Sequence, residues 1–303
     1  MSTAIHMEGL TKEFGALRAV DGLTVDVETG GVVGLLGPNG AGKSTTIRML
    51  LGLIRPTAES ATVLGKSIAY PAAYIEEVGA LVESPAFYPK LSGEVNLQTL
   101  AVLDGQPQAR IDEVLEIVGL QDRGGDQVVE YSLGMKQRLG IATALLRDPD
   151  ILILDEPANG LDPAGIVEMR KLLRDLGSTG KTVLVSSHLL AEIQAMVDEV
   201  VIINKGRLVF EGNLAGLLAE AAHEVVVAPE EARDLAALAE VLSNAGYSAT
   251  FSDRVVHVVG AIEVPAQLNR LAFDHGITLR ELRVHDEDLE EIFLRMTGGE
   301  IGL

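Results

Sequence analysis

A run of nine residues, Gly37-Pro38-Asn39-Gly40-Ala41-Gly42-Lys43-Ser44-Thr45, constrains this chain more than any other segment. It follows an apolar, β-branched stretch, Val32–Leu36, and precedes a helical pattern that starts near Lys43, with the spacing G-x-x-x-x-G-K-[ST]. A strand, a glycine-rich turn and a helix in that order surround one point with backbone N–H groups. Gly37, Gly40 and Gly42 let the backbone curl at angles and distances that side chains would obstruct. The helix amino terminus adds partial positive charge. Such a cradle accepts phosphate. Lys43 is expected to reach the β- and γ-phosphates of a nucleotide, and the Ser44 hydroxyl to ligate the Mg²⁺ that bridges them. A plain structural turn would not need the strand, the lysine and the helix in this sequence.

A phosphate loop leaves kinases, GTPases and ATPases open, so a second segment has to decide. Ile151-Leu152-Ile153-Leu154-Asp155-Glu156 reads as a buried strand that ends in two carboxylates. Neighbouring strand side chains point to opposite faces, so Asp155 and Glu156 can take different tasks. Asp155 is expected to orient Mg²⁺ through its water shell, and Glu156 to polarise an attacking water as general base. Guanine recognition would call for Asn-Lys-x-Asp. Asn204-Lys205-Gly206-Arg207 lacks the aspartate, which disfavours a GTPase.

The 303 residues are 47% hydrophobic and 22% charged, enough for one large globular domain and a smaller one. No apolar run approaches the roughly 20 residues that cross a bilayer. The start, MSTAIHMEGLTKEF, lacks the basic-then-apolar pattern of a secretory signal, so the protein is expected to stay where it is made. The absence of cysteine excludes disulfides and thiol catalysis. A formal charge of −20 repels phosphate backbones, so nucleic acid is not expected as a partner.

Strand-length runs alternate with helical patterns over the first 200 or so residues, as in an α/β fold with a largely parallel sheet. Expected strands are Val32–Leu36, Ile151–Leu154, Thr182–Val185 and Val200–Asn204. Lys205-Gly206 reads as a hairpin turn into Arg207–Glu211, with Asn213 capping a short helix. Beyond it the order is strand (Glu224–Val227), helix (Glu231–Ala245), strands (Tyr247–Phe251 and Val255–Val259), helix (Pro265–His275) and strand (Thr278–Val284). That is a ferredoxin-like βαββαβ order, followed by an amphipathic helix at about 286–297.

Tyr131-Ser132-Leu133-Gly134-Met135-Lys136-Gln137-Arg138 precedes an apolar helical run, Leu139–Leu146. Taken alone it is a capped basic helix. Placed just before the two-carboxylate strand, it resembles the signature segment of the ABC (ATP-binding cassette) ATPases. The resemblance covers roughly residues 4–220. It implies a P-loop NTPase cassette at 1–220, with a mixed sheet core and a helical subdomain at about 85–147, and leaves 221–303 as a small α+β domain. It also implies ATP and Mg²⁺ as cofactors. Ser132 and Gly134 match the positions that grip the γ-phosphate of ATP held by an opposite subunit. Tyr131, Leu133 and Met135 depart from the commonest Leu-Ser-Gly-Gly-Gln form, in the manner of drug- and peptide-antibiotic-exporter ATPases.

The same resemblance implies further roles. Phe14 stands where an aromatic stacks on adenine, or is a core phenylalanine. Asp162, in Gly160-Leu161-Asp162-Pro163, matches the polar contact of a loop that couples two sites, or simply starts the Pro163 helix. His188 matches the switch histidine that holds water and Glu156 in line with the γ-phosphate. Glu83 stands where the family usually has glutamine, as a candidate Mg²⁺ ligand. The segment Ala86–Ser92 resembles a groove for a membrane subunit's coupling helix, or is a packed loop. The implied assembly is a homodimer closing head-to-tail around two ATP molecules, peripheral on the cytoplasmic face of the membrane, driving a separate integral-membrane permease. The carboxy-terminal region is similar to the tails of drug-resistance and lantibiotic-immunity exporters, which favours export. The alternative is a soluble ABC ATPase acting on ribosomes or DNA.

Overall fold

The computed structural model describes residues 2–83, 86–188, 193–219, 223–252, 254–259 and 264–297. The chain divides into two compact units, Met1–Leu214 and Ala215–Met296.

The first unit is built on a six-stranded sheet in the order β10-β9-β3-β8-β7-β6. Its strands are β3 (Gly31–Leu36), β6 (Val78–Leu81), β7 (Ile151–Asp155), β8 (Thr182–Ser187), β9 (Glu199–Asn204) and β10 (Arg207–Asn213). All neighbours pair in parallel except β10, which returns antiparallel from the Lys205-Gly206 turn. Both turn residues have positive φ, 49° and 79°, as a two-residue hairpin loop requires. Every residue of β7 and β8 is buried. Strands covered on both faces need continuous rather than alternating apolar runs, which is how ILIL and TVLV read in the sequence.

A second, four-stranded sheet has the order β2-β1-β4-β5. Here β1 (Thr3–Phe14) and β2 (Leu17–Glu28) form a long hairpin, and β4 (Ala58–Val63) and β5 (Lys66–Ser67) extend it. The sequence reading above did not anticipate this hairpin. Its signal was present in the alternation of Leu23, Val25 and Val27, all buried. In β1 the alternation is interrupted by register shifts on both sides of Leu10, which blur a period-two pattern. Ile5, Met7, Leu10 and Leu23 join Ile47, Leu50 and Tyr74 in one hydrophobic core with Val33, Leu35 and Ile153.

Helix α1 (Lys43–Leu50) follows the phosphate loop. Three helices, α2 (Gly93–Leu103), α3 (Gln108–Ile117) and α4 (Leu133–Leu145), lie between β6 and β7 in the chain, and α5 (Pro163–Ser178) lies between β7 and β8. Serines cap two of them: Ser92 Oγ accepts from the Val95 N–H and Ser132 Oγ from the Met135 N–H, both at 3.2 Å. Arg110 on α3 closes the other end of α4, donating to the Leu145 and Leu146 carbonyls at 2.6 and 3.2 Å. A cation suits the negative end of a helix. Beside it, a hydrogen bond from Lys181 holds the Asp148 carboxyl below its usual titration range, with Arg110 adding to the effect. Tyr131, which departs from the commonest signature sequence, is a buried member of this helical region, its hydroxyl donating to the Arg123 carbonyl at 2.7 Å.

The second unit is a four-stranded antiparallel sheet, β12-β13-β11-β14, formed by β11 (His223–Pro229), β12 (Ser248–Ser252), β13 (Val255–Val259) and β14 (Leu279–Asp286). Helices at Leu235–Asn244 and Pro265–Asp274 connect β11 to β12 and β13 to β14. Val225, Val227, Val256 and Val258 pack with Leu238, Leu242 and Leu268 as its core. A last helix spans Leu289–Met296.

Close packing holds α4 against β6. A Cβ at Gly79 would lie 2.3 Å from the Ala144 carbonyl oxygen and 2.8 Å from Leu152 Cδ2. Gly79→Ala is therefore expected to destabilise the protein by about 2–3 kcal/mol through overpacking, measured as a lowered midpoint in urea unfolding.

Candidate functional site

The carboxyl ends of β3, β7 and β8 finish level with one another. Leu36 pairs with Ser187 and Asp155 with Ser186, so the phosphate loop, the two carboxylates and His188 leave the sheet at one edge. Open α/β sheets place ligands there.

The loop's glycines are demanded by different things. A Cβ on Gly37 would sit 2.2 Å from the Ile203 carbonyl oxygen, and one on Gly42 would sit 2.5 Å from that of Ala19. Gly42 also has φ 108°, whereas Gly40, at φ 79°, faces open space. The Lys43 ammonium is turned into the loop, donating to the Gly37 and Pro38 carbonyls at 2.7 and 3.3 Å. Its side chain is buried, 6% exposed, and its Nζ lies 3.4 Å from Glu156 Oε1.

Glu156 is held from both sides. Its other oxygen, Oε2, is 2.6 Å from His188 Nδ1. An ionised carboxylate can only accept, so the Nδ1–H donates and the ring's Nε2 is left free. Glu156 has φ 51°, an unfavourable angle for a glutamate, and its N–H donates to Ser186 Oγ at 3.0 Å. Asp155, the residue before, is buried and accepts from the same hydroxyl at 2.5 Å. The two carboxylates thus diverge as strand geometry requires: Glu156 lines the cleft and Asp155 is anchored at the end of the sheet.

The cleft has a volume of about 500 Å³ and is lined by Phe14, Leu17 and Ala19 of the first hairpin, residues 39–45, and Glu156, Asn159 and His188. Phe14 is half exposed at the hairpin tip, with Lys12 Nζ 5.0 Å from its ring centroid, so it is not a core residue. Leu17, Ala19, Asn159 and Ser186 are site residues that sequence reasoning missed. For Ser186 a signal existed: a hydroxyl ending an otherwise apolar strand beside Asp155. The oxygen donors at hand, the Ser44 hydroxyl and the Asp155 carboxylate, are the hard ligands that suit Mg²⁺, which typically takes few protein ligands and keeps several waters.

Ser132, Gly134 and Asp162 do not line the cleft; they meet at another surface. Ser132 is the N-cap of α4. Asp162 is the N-cap of α5, accepting from the Gly165 N–H at 3.1 Å. A Cβ on Gly160 would lie 3.1 Å from Leu133 Cδ2, and one on Gly134 3.7 Å from Leu161 Cδ2, so the two helix starts pack together. Ser132, Leu133 and Asp162 are exposed. Glu83 also lies outside the cleft lining: at φ 64° it turns its carboxylate to Arg48 of α1. Tyr88, in the expected groove segment, is exposed; residues 84–85 lie outside the described residues.

Gly42→Ala is expected to weaken nucleotide binding by roughly tenfold to a hundredfold. The loop must shift to clear the Ala19 carbonyl and carries about 1–3 kcal/mol of backbone strain. Titration of a fluorescent ATP analogue checks this, with a smaller loss expected for Gly40→Ala, where only the backbone angle is unfavourable.

Residues 20–159 match the family model described as ABC transporter. The chain is 40% identical over 302 residues to the bacitracin transport ATP-binding protein BcrA of Bacillus licheniformis, covering 99% of each. It is 34% identical over 306 residues to the daunorubicin resistance ATP-binding protein DrrA3 of Streptomyces coeruleorubidus, covering 98% of this chain and 97% of that protein. Among solved structures, cbiO1 from Clostridium perfringens, part of the ABC transporter complex cbiONQ, superposes with a TM-score of 0.66 at 27% identity. It covers 73% of this chain and 92% of that one. With the loop, the carboxylate pair and the histidine at one sheet edge, these similarities place the chain in the ABC transporter family, as an ATP-binding subunit that hydrolyses ATP.

Proposed function

We propose that two copies of this chain close on two ATP molecules and drive a separate integral-membrane permease in export. The observation that carries the reading is Glu156 held between Lys43 and His188 in the cleft formed with the phosphate loop. Phe14 offers an exposed π-face for adenine, and the loop's N–H groups and Lys43 take the phosphates. As the Lys43 ammonium turns to phosphate, Glu156 Oε1 is released to accept a proton from water. His188 keeps the carboxylate oriented through Oε2, and when its Nε2 also carries a proton it can donate to the γ-phosphate. Ser44 and Asp155 would hold Mg²⁺, which supplies charge neutralisation to the β- and γ-phosphates.

The start of α4 lies outside the cleft lining of its own chain. Exposed, with Ser132 and the Gly134 backbone, it suits closing over the γ-phosphate held by a second copy, and Asp162 on the adjoining loop suits the contact between copies. The relatives named for bacitracin transport and daunorubicin resistance support an export role and a place on the cytoplasmic membrane face. Among the described residues no helix is long and apolar enough to cross a membrane, so the path for cargo belongs to the permease. Glu83 and Tyr88 are assigned to the face that meets it. We read the second unit as a ferredoxin-like domain, from its βαββαβ order and 2-3-1-4 strand arrangement.

Removing the base or its orienting partner tests the reading. Glu156→Gln and His188→Ala are each expected to lower kcat by about 10²–10⁴ while leaving ATP affinity within a few-fold of the parent. Wild-type turnover by Glu156→Gln, in a phosphate-release assay, would make the general-base assignment wrong.

A further inference from the structure

We infer that Ser186 is a positioning residue for hydrolysis, fixing both carboxylates of the site through one hydroxyl; this rests on the roles proposed for Asp155 and Glu156. Ser186 is completely buried and sits opposite Asp155 in the parallel pairing of β7 with β8. Its Oγ accepts the Glu156 N–H at 3.0 Å and donates to Asp155 Oδ1 at 2.5 Å. The direction of this chain follows from the groups at its ends. A backbone N–H can only donate and an ionised carboxylate can only accept, so the hydroxyl proton has one place to go.

Two consequences follow. The first concerns Asp155: one lone pair of Oδ1 is committed to Ser186, which sets the rotation of the carboxylate and the direction in which its remaining lone pairs point. Partners that orient a ligand's carboxylate in this way typically alter metal affinity or activity by about 10–100-fold when removed. The second concerns Glu156. Its φ of 51° is costly for a residue with a Cβ, and the bond from its N–H to Ser186 helps offset the cost, beside the bond its carbonyl accepts from the Asn159 N–H at 3.1 Å. Because the donor–acceptor chain is continuous, each bond strengthens the other. Ser186 therefore sets where the metal-side carboxylate points and holds the base-side residue in its turn, without itself lining the cleft.

The test uses the full-length protein. Ser186→Ala is expected to raise the Mg²⁺ concentration that half-saturates enhanced binding of a fluorescent ATP analogue by about tenfold, and to lower kcat by about 10–100-fold. Binding of the analogue in EDTA should stay within about twofold of wild type, because the phosphate loop is untouched. In an Asp155→Asn background the same substitution should add less than about twofold to the Mg²⁺ effect, since Ser186 acts on that effect through Asp155. Should the alanine variant fail to fold, Ser186→Cys keeps the volume but replaces the hydroxyl with a weak donor, and the same shifts are expected. A folded variant of either kind with wild-type Mg²⁺ half-saturation and kcat overturns the inference, as does an equal loss of binding in EDTA. Comparison with Glu156→Gln separates the two levels. If Glu156→Gln is inactive and Ser186→Ala is normal, only this inference fails; if Glu156→Gln turns over normally, the reading beneath it fails as well.

Discussion

A carboxylate held between a lysine ammonium and a histidine ring requires three separate chain segments to stop at the same height. Glu156 follows β7, Lys43 follows the loop after β3, and His188 follows β8. Only a parallel sheet with these strands adjacent delivers all three ends to one edge, and the β3–β8–β7 order does so with Leu36, Asp155 and the Ser186–Ser187 pair in register. The parallel arrangement then dictates the sequence of the strands. Covered on both faces, they must be apolar through their middles, so polar groups are admitted only at their ends, Thr182 at the start of β8 and Asp155, Ser186 and Ser187 at the finish. Among the described residues, Ser186 and Asp155 are two of the few buried polar ones, and each is the other's partner.

Backbone proximity imposes the next layer of constraint. Gly37 and Gly42 are pressed against carbonyls of β9 and β2, so the loop is clamped between strands of both sheets of the first unit. A loop clamped in this way keeps its N–H groups aimed inward before any phosphate arrives, which lowers the entropy lost on binding. The same hairpin whose β2 supplies the Ala19 carbonyl carries Phe14 and Leu17 to the cleft. One hairpin thus supports the phosphate end of the site and forms its apolar wall.

Much of this was legible in the sequence, and for identifiable reasons. GPNGAGKST and ILILDE announce themselves because each combines a structural period with a chemical type, and both lie where the strand ends require. The eight expected strands from residue 151 onward fall within a few residues of their observed limits, and those of the buried parallel sheet do so because runs such as ILIL and TVLV are uninterrupted. The first hairpin was not anticipated because register shifts near Leu10 break its alternation. Leu17, Ala19 and Asn159 were illegible as site residues because nothing local to them declares the cleft, whereas Ser186 carried only the signal of a hydroxyl at the end of an apolar strand, its partners being set by pairing between distant segments. Glu83 shows the reverse: a position inferred by resemblance whose carboxylate is engaged by Arg48. Ser132 and Asp162 have plain local work as helix caps, which is compatible with a second task because both remain exposed.

Part of the surface assigned to the γ-phosphate, the start of α4 with Ser132 and Gly134, comes from a second copy, so the association of two copies is the point most open to test. Sedimentation velocity of Glu156→Gln, with and without saturating ATP and Mg²⁺, tests it directly. The account predicts a monomer that becomes a dimer when ATP is added, with the dimer lost on a further Ser132→Arg substitution at the start of α4. A protein that stays monomeric at saturating ATP, while the wild type hydrolyses ATP at a rate per chain independent of its concentration, would contradict it.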